Sequence, residues 1–111
     1  MNYTILILYR VTNHWLELKR EQRIDFFATT ISPIINQFKE TVTVRFFDSE
    51  AFHANTSDFM IIDCTNLKDY YYFIEHLRDS ALFGKPYLVL NDVIIGIENG
   101  FQAFETTKFK T

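Results

Sequence analysis

Arg45 is the residue of this sequence whose position most clearly requires a chemical partner. It stands between Val44 and Phe46 in residues 41–48, where side chains alternate as in a β-strand. A guanidinium group on such a strand needs a carboxylate, from the protein or from a ligand, to satisfy its charge and its donors. We expect Asp63, on the next predicted strand, to be that carboxylate, and a ligand anion would compete with it.

Arg78 is the second candidate, near the end of a helix predicted from residue 66 onward. Its side chain could bind an anion, or it could close the helix C-terminus, where a positive charge is favourable. A contact within the helix is the simpler interpretation. We keep Arg78 as a candidate ligand-binding residue beside it.

Residues that usually bind metals are few and poorly spaced. His53 lies near Asp48, Glu50 and Asp58, and such nitrogen and oxygen donors suit several divalent metals. Their spacing matches no metal motif, so we expect no metal site. Cys64 is the single cysteine, which excludes an intrachain disulfide and a cysteine-rich zinc site.

The composition excludes several classes of function. The chain has 111 residues and a formal net charge of −3, without the basic stripe that nucleic-acid binding requires. Its three glycines are isolated, so there is no glycine-rich phosphate loop. No apolar run approaches the length of a membrane span, and the first residues lack the pattern of a signal peptide. We expect a cytoplasmic protein that binds neither nucleic acid nor membrane.

Six elements have to position these side chains. Runs of apolar and β-branched residues predict strands, and apolar residues three and four apart predict helices. The predicted order is strand 3–11, helix 19–38, strand 41–48, strand 58–64, a helix from residue 66, and strand 87–95. This βαββαβ order is that of the ferredoxin-like α+β fold, a four-stranded antiparallel sheet with two helices on one face. We expect a single domain over residues 1–105 and a loose tail over residues 106–111.

The pattern of each helix predicts which side chains pack. Pro33 should kink or break the first helix, whose apolar stripe includes Ile24. In the second helix, Tyr70 and Tyr71 should pack on the sheet and Tyr72 should face outward.

Two helices can cover only one face of the sheet, yet the strands carry apolar side chains on both. Phe47 shares a face with Arg45, and Tyr9 belongs to one of two apolar sets in the first strand, either of which could face outward. An exposed apolar face is an aggregation hazard, and a twofold dimer would cover it. We therefore expect a homodimer through the open sheet face, enclosing a cavity. The candidate ligand-binding residues of that cavity are Tyr9, Arg45, Phe47 and Asp63.

Four segments together resemble the darcynin family of small bacterial proteins. They are VRFFDSEAF, the pair Ser57-Asp58, YYYFIEHLRDSALFGKPY and GIENGF, and the similarity runs from about Tyr3 to Glu105. The resemblance implies a ferredoxin-like protein similar to dimeric α+β barrel proteins. It implies no activity, substrate or catalytic residue.

Two functions remain open from the sequence. The first is a homodimeric α+β barrel that binds a small aromatic or acidic metabolite. The alternative is a cofactor-independent oxygenase or isomerase, in which a tyrosine, histidine or aspartate acts as acid or base. Haem-degrading barrels use a helical histidine, but His76 lies on the polar side of its helix, so we expect no cofactor. Whether the protein is an enzyme is left undecided.

Overall fold

A four-stranded antiparallel sheet forms the framework of the protein, in a computed structural model that describes residues 1–108. The strands are β1 (Tyr3–Val11), β2 (Val42–Asp48), β3 (Asp58–Cys64) and β4 (Leu88–Ile97). Their order across the sheet is β2-β3-β1-β4, so the first strand lies in the interior and β4 forms an edge. The predicted α+β, ferredoxin-like arrangement is confirmed.

Within residues 1–108, six α-helices accompany the sheet. They are α1 (Asn13–Leu16), α2 (Arg20–Phe26), α3 (Ser32–Gln37), α4 (Leu67–Arg78), α5 (Ala81–Gly84) and α6 (Gly100–Lys108). None of these described helices is long and apolar enough to cross a membrane. The last helix runs through residues 106–108, which the sequence analysis assigned to a loose tail. Residues 109–111 of that tail lie outside the described part of the chain.

A π-helical turn, Phe27–Ile31, joins α2 to α3 and changes which side chains face the sheet. Pro33 follows it in the first turn of α3, where a missing N–H group costs nothing. The wider turn shifts the helical phase, so Ile24 is exposed, contrary to prediction, and Ile31 is buried. Phe26, outside the predicted stripe, packs against the core.

Helix α4 covers β2 and β3 with a face that was only partly predicted. The side chain of Asn66 caps it by accepting a hydrogen bond from the Lys68 amide at 2.8 Å. Phe73 and Leu77, one turn apart, are its buried residues. Tyr72 is exposed as predicted, but Tyr71 is exposed as well, so the predicted packing of Tyr71 is wrong. The reason is that the stripe is centred on Phe73.

The core lies between these helices and one face of the sheet. Ile5 and Ile7 of β1 and Ile62 of β3 are fully or almost fully buried there. Alternation along β1 therefore turns Leu6 and Leu8 to the opposite face, which no helix covers and which we call the open face.

The far end of β4 extends beyond the covered region. Asn91 is an extra residue in the pairing with β1, and its side chain donates to the Asn55 carbonyl at 2.8 Å and to Thr56 Oγ1 at 3.0 Å. Beyond it, residues 93–97 are exposed on both faces, and α6 follows with its side chains exposed. We call residues 93–108 the arm. The radius of gyration of 16.5 Å exceeds the roughly 13 Å of a compact chain of this length.

Candidate functional site

A cavity of about 230 Å³ lies between the sheet and the helices. Side chains of β1, β3, α2, α4 and the π-helical turn form its walls, and most of them are apolar. The cavity is therefore on the helix side of the sheet, whereas the sequence analysis placed a ligand on the open face.

Aromatic rings form one end of this cavity. Trp15, Phe26 and Tyr87 meet edge to face, with centroid distances of 5.0 to 6.0 Å. Phe27 and Phe46 form a second edge-to-face pair at 5.6 Å. Such pairs hold ring planes at fixed angles, so the cavity has rigid, flat apolar walls suited to an aromatic or similarly flat molecule.

Two carboxylates form the polar end of the cavity. The antiparallel register of β2 and β3 places Asp48 opposite Asp58, and both line the cavity. Like charges at such positions are unfavourable. Burial, and next the contact with Asp48, raise the pKa of Asp58, although a hydrogen bond from the Ser57 hydroxyl at 2.6 Å acts in the opposite direction. Asp58 therefore retains a proton to higher pH than an exposed aspartate does.

Tyr9 adds a hydroxyl to the same end of the cavity. Its side chain is 8% exposed and lines the cavity. Burial, followed by the charges of Asp58 and Asp48, raises the pKa of this phenol well above its ordinary value, so it stays neutral. Within residues 1–108 the hydroxyl takes part in no protein hydrogen bond, and it is not sealed from the cavity. Because it opens onto the cavity, the hydroxyl can bond to a molecule inside it.

The loop after β2 brings a third acidic residue, Glu50, to this end. Ligand atoms of Asp48, Glu50 and Asp58 lie within 4.8 Å of one another. His53 is outside this cluster, and its Nδ1 accepts from the amides of Asn55 and Thr56 at 3.2 and 2.9 Å. Its role in the described loop is to fix the backbone.

Three of the predicted site residues meet on the open face. The guanidinium of Arg45 lies 3.9 Å from Asp63, and the two side chains are 62% and 45% exposed. The same group lies 5.8 Å from the centre of the Phe47 ring. Asp63 also accepts a hydrogen bond from the Thr4 hydroxyl at 2.6 Å. The expected pairing of Arg45 and Asp63 is present, but both groups face solvent in a single chain.

Arg78 and Tyr9 lie apart from that group. Arg78 Nε is 3.6 Å from Glu75 Oε2 one turn earlier on α4, and its guanidinium lies 5.8 Å from the Phe83 ring centre. Tyr9 projects to the helix side. The five candidates thus occupy three places: the open face, the surface of α4 and the cavity.

Sequence reasoning grouped Asp48 with Asp58 only as possible metal ligands, and it missed their place in a cavity together with the aromatic end. A signal for the pair was present, because Asp48 ends one strand of a hairpin and Asp58 begins the next. Residues at those two positions face each other when the strands pair in register. No comparable signal joins Trp15 to Tyr87, which lie far apart in the sequence.

Comparisons with known sequences identify relatives. The sequence profile described as "Darcynin, domain of unknown function" matches residues 1–108. Darcynin 1 of Acinetobacter baumannii is 36% identical over 91 residues, which are 82% of this chain and 100% of that protein. Darcynin of Chromobacterium violaceum is 37% identical over 75 residues, 68% of this chain and 94% of that protein.

Solved structures with the same fold are larger proteins. Chlorite dismutase from Candidatus Nitrospira defluvii in complex with imidazole superposes with a TM-score of 0.73 at 16% identity, over 86% of this chain and 39% of that one. A protein from Thermus thermophilus, described as a novel heme-binding protein, gives a TM-score of 0.77 at 10% identity, over 92% and 43%. This chain therefore spans about two fifths of each, and the likeness shows the fold alone.

The cavity does not fit haem. Haem iron is held by histidine, cysteine, methionine or tyrosine side chains. No histidine or cysteine of the described residues lines the cavity, and Met60, which does, is 3% exposed and belongs to the hydrophobic core. Tyr9 would have to ionise to bind iron, yet its pKa is raised by burial and by two neighbouring carboxylates. The volume of about 230 Å³ is also below the roughly 300–1,000 Å³ of typical ligand pockets, so it leaves room only for a molecule much smaller than haem.

Proposed function

The chain belongs to the darcynin family, and from this premise we propose that it binds a small aromatic molecule in the cavity between the sheet and the helices. The observation that carries the proposal is the hydroxyl of Tyr9, which belongs to a buried residue, is neutral, opens onto the cavity and has no hydrogen bond to the described residues. Such a hydroxyl is free to bond to a molecule in the cavity.

The polar end of the cavity favours a ligand with a hydrogen-bond donor or a positive charge. Asp48 and Asp58 offer acceptor oxygens, and Asp58 can also hold a proton. A ligand carboxylate about 4 Å from an ionised aspartate would meet a repulsion of about 4 kcal/mol at an effective dielectric constant near 20. Of the aromatic and acidic metabolites considered from the sequence, this cavity favours the aromatic one.

Three probes of equal size test this proposal: benzylamine, benzyl alcohol and benzoate, each titrated calorimetrically into the protein at pH 7. We expect binding to fall in that order and to be absent for benzoate. Tyr9→Phe should weaken the binding of benzyl alcohol up to about tenfold, the value of one hydrogen bond. Tyr3→Phe, on the same face of β1, is the matched control and should leave binding unchanged. Equal affinity of both variants for every probe would contradict the proposal.

The carboxylate pair supports a second candidate, the cofactor-independent oxygenase or isomerase. Two opposed carboxylates, of which one holds a proton more firmly, provide both an acid and a base beside the bound molecule. Asp58→Asn should then abolish product formation even at a probe concentration that saturates the variant, measured by mass spectrometry after aerobic incubation. Unchanged product formation in Asp58→Asn would remove Asp58 from this role.

We also propose that two copies pair through the open face. Its half-buried apolar side chains include Leu6, Leu8, Phe59 and Ile61, and a single chain leaves them without cover. Light scattering should give a mass near twice 13.2 kDa. A mass of one chain at micromolar concentration would overturn this assembly. The cytoplasmic location is a further proposal, which fractionation of cells would test.

A further inference from the structure

The arm, residues 93–108, carries apolar side chains that residues 1–92 do not cover. Register with β1 places Val93, Ile95 and Ile97 on the same face as the buried Ile7 and Ile5. On β1 that face is core, but on the end of β4 it is exposed. The helices that should cover it lie over β2 and β3 instead.

The helix of the arm is equally uncovered. Phe101 and Phe104 are 71% and 56% exposed, and their rings lie 6.2 Å apart on one side of α6. Asn99, in the left-handed region with φ 53°, makes the turn into the helix. Gly100 fits against Ile97, where a Cβ atom would approach to 3.1 Å. This turn leaves α6 off the strand that precedes it.

The apolar area that the arm exposes is close to the area that one partner buries in a protein–protein interface. A phenylalanine side chain offers about 150–250 Å², and the two rings with the exposed aliphatic side chains of β4 present about 600 Å² per copy, against roughly 800 Å² per partner in a standard interface. An area of this size is at the upper end of the largest apolar patch on a typical monomer, about 300–600 Å², and such patches are often functional.

We propose that two copies exchange their arms, so that α6 of each lies on the exposed helix-side face of the other copy's β4. Each copy offers both an apolar helix without a groove and an apolar strand face without a helix. In a twofold dimer, α6 of each copy covers the strand face of the other, so both apolar surfaces are buried together. A different protein would have to supply both a groove for α6 and a helix for the strand face. The exchange rests on the homodimer proposed above and continues it, because Ile94 of the same strand belongs to the open face.

Changing the two aromatic residues of α6 tests the exchange. In the full chain, Phe101→Ser/Phe104→Ser should weaken the dimer on the order of a hundredfold or more, as truncation of central interface aromatics does, measured by sedimentation equilibrium. Phe52→Ser is the matched control, because Phe52 is 88% exposed in the loop before β3. It should leave the mass unchanged. Circular dichroism should show both variants folded.

A disulfide tests the contact itself. Ile95→Cys/Phe104→Cys should form a disulfide between two chains on oxidation, seen as a dimer band on a non-reducing gel. Phe52→Cys/Phe104→Cys should not. A wild-type monomer overturns both the homodimer and the exchange. A dimer that survives the double serine change and forms no Ile95→Cys/Phe104→Cys link overturns the exchange alone. A disulfide within one chain would show that α6 folds back on its own strand, which also overturns the exchange.

Discussion

Replacing Tyr9 with phenylalanine removes one oxygen from the cavity wall and leaves the ring contacts in place. A hydrogen bond made by a buried hydroxyl contributes about 0.5–1.5 kcal/mol to the free energy of unfolding. The Tyr9 hydroxyl has no such bond within residues 1–108, so there is none to lose. We expect Tyr9→Phe to change the free energy of unfolding by less than about 0.5 kcal/mol, because the hydroxyl opens onto the cavity and loses no protein hydrogen bond.

Ser57→Ala provides the contrast in the same part of the molecule. Ser57 Oγ accepts from the Val11 amide at 2.9 Å and donates to Asp58 at 2.6 Å. Its removal leaves both partners unsatisfied, which costs about 1–3 kcal/mol. Urea unfolding of ligand-free protein at pH 7, followed by circular dichroism, would compare the two variants. A loss in Tyr9→Phe as large as that in Ser57→Ala would mean that the hydroxyl has a protein partner in solution, and the argument for a guest-facing group would fail.

Three further predictions can be checked by the same urea titrations. Leu77→Ala should lower the free energy of unfolding by about 2–5 kcal/mol, because it loses buried apolar surface and leaves an unfilled cavity. Tyr72→Ala, at an exposed position, should lower it far less. Equal losses would mean that the phase of α4 is misassigned. Burial first, and a neighbouring carboxylate second, raise the folded-state pKa of Asp58, so the native state binds its proton more tightly than the unfolded state does. The contribution of Asp58 to the free energy of unfolding is therefore present at low pH and is lost as pH rises from about 4 through the raised pKa. Asp58→Asn should reduce this loss of stability with rising pH. An unchanged dependence of stability on pH in Asp58→Asn would contradict the prediction. Arg45→Met and Asp63→Asn should each change the free energy of unfolding by less than about 1 kcal/mol, as for other exposed ion pairs. A larger loss of stability would indicate that assembly buries the pair.

The topology could be predicted because each strand and helix carries its own local pattern. The pairing of Arg45 with Asp63 followed from the same patterns, since adjacent strands bring those positions together. The exposure of the pair did not follow, because alternation shows that two side chains share a face without showing what lies above it. For β1 the face itself was undecided, as Ile5 and Leu6 are equally apolar.

The candidate site depended on features that no local pattern records. Exposure of Ile24 reflects the helical phase of the first helical segment, which the π-helical turn shifts by a fraction of a turn. Burial of Phe73 reflects the phase of α4, whose buried stripe is centred on that residue. The cavity arises where α2 and α4 leave space above the sheet, and that separation is set by tertiary packing. Asp48 and Asp58 could have been paired from the sequence, since the hairpin that joins them fixes their register.

The extra residue in β4 gives the protein a mechanical link between its edge and its cavity. Asn91 binds the backbone at Asn55 and the side chain of Thr56, in the loop that separates Asp48 from Asp58. The side-chain amide of Asn91 therefore connects the edge strand directly to the loop that joins the two carboxylates. Displacing β4 by the length of a hydrogen bond would break both contacts and release the loop that joins Asp48 to Asp58.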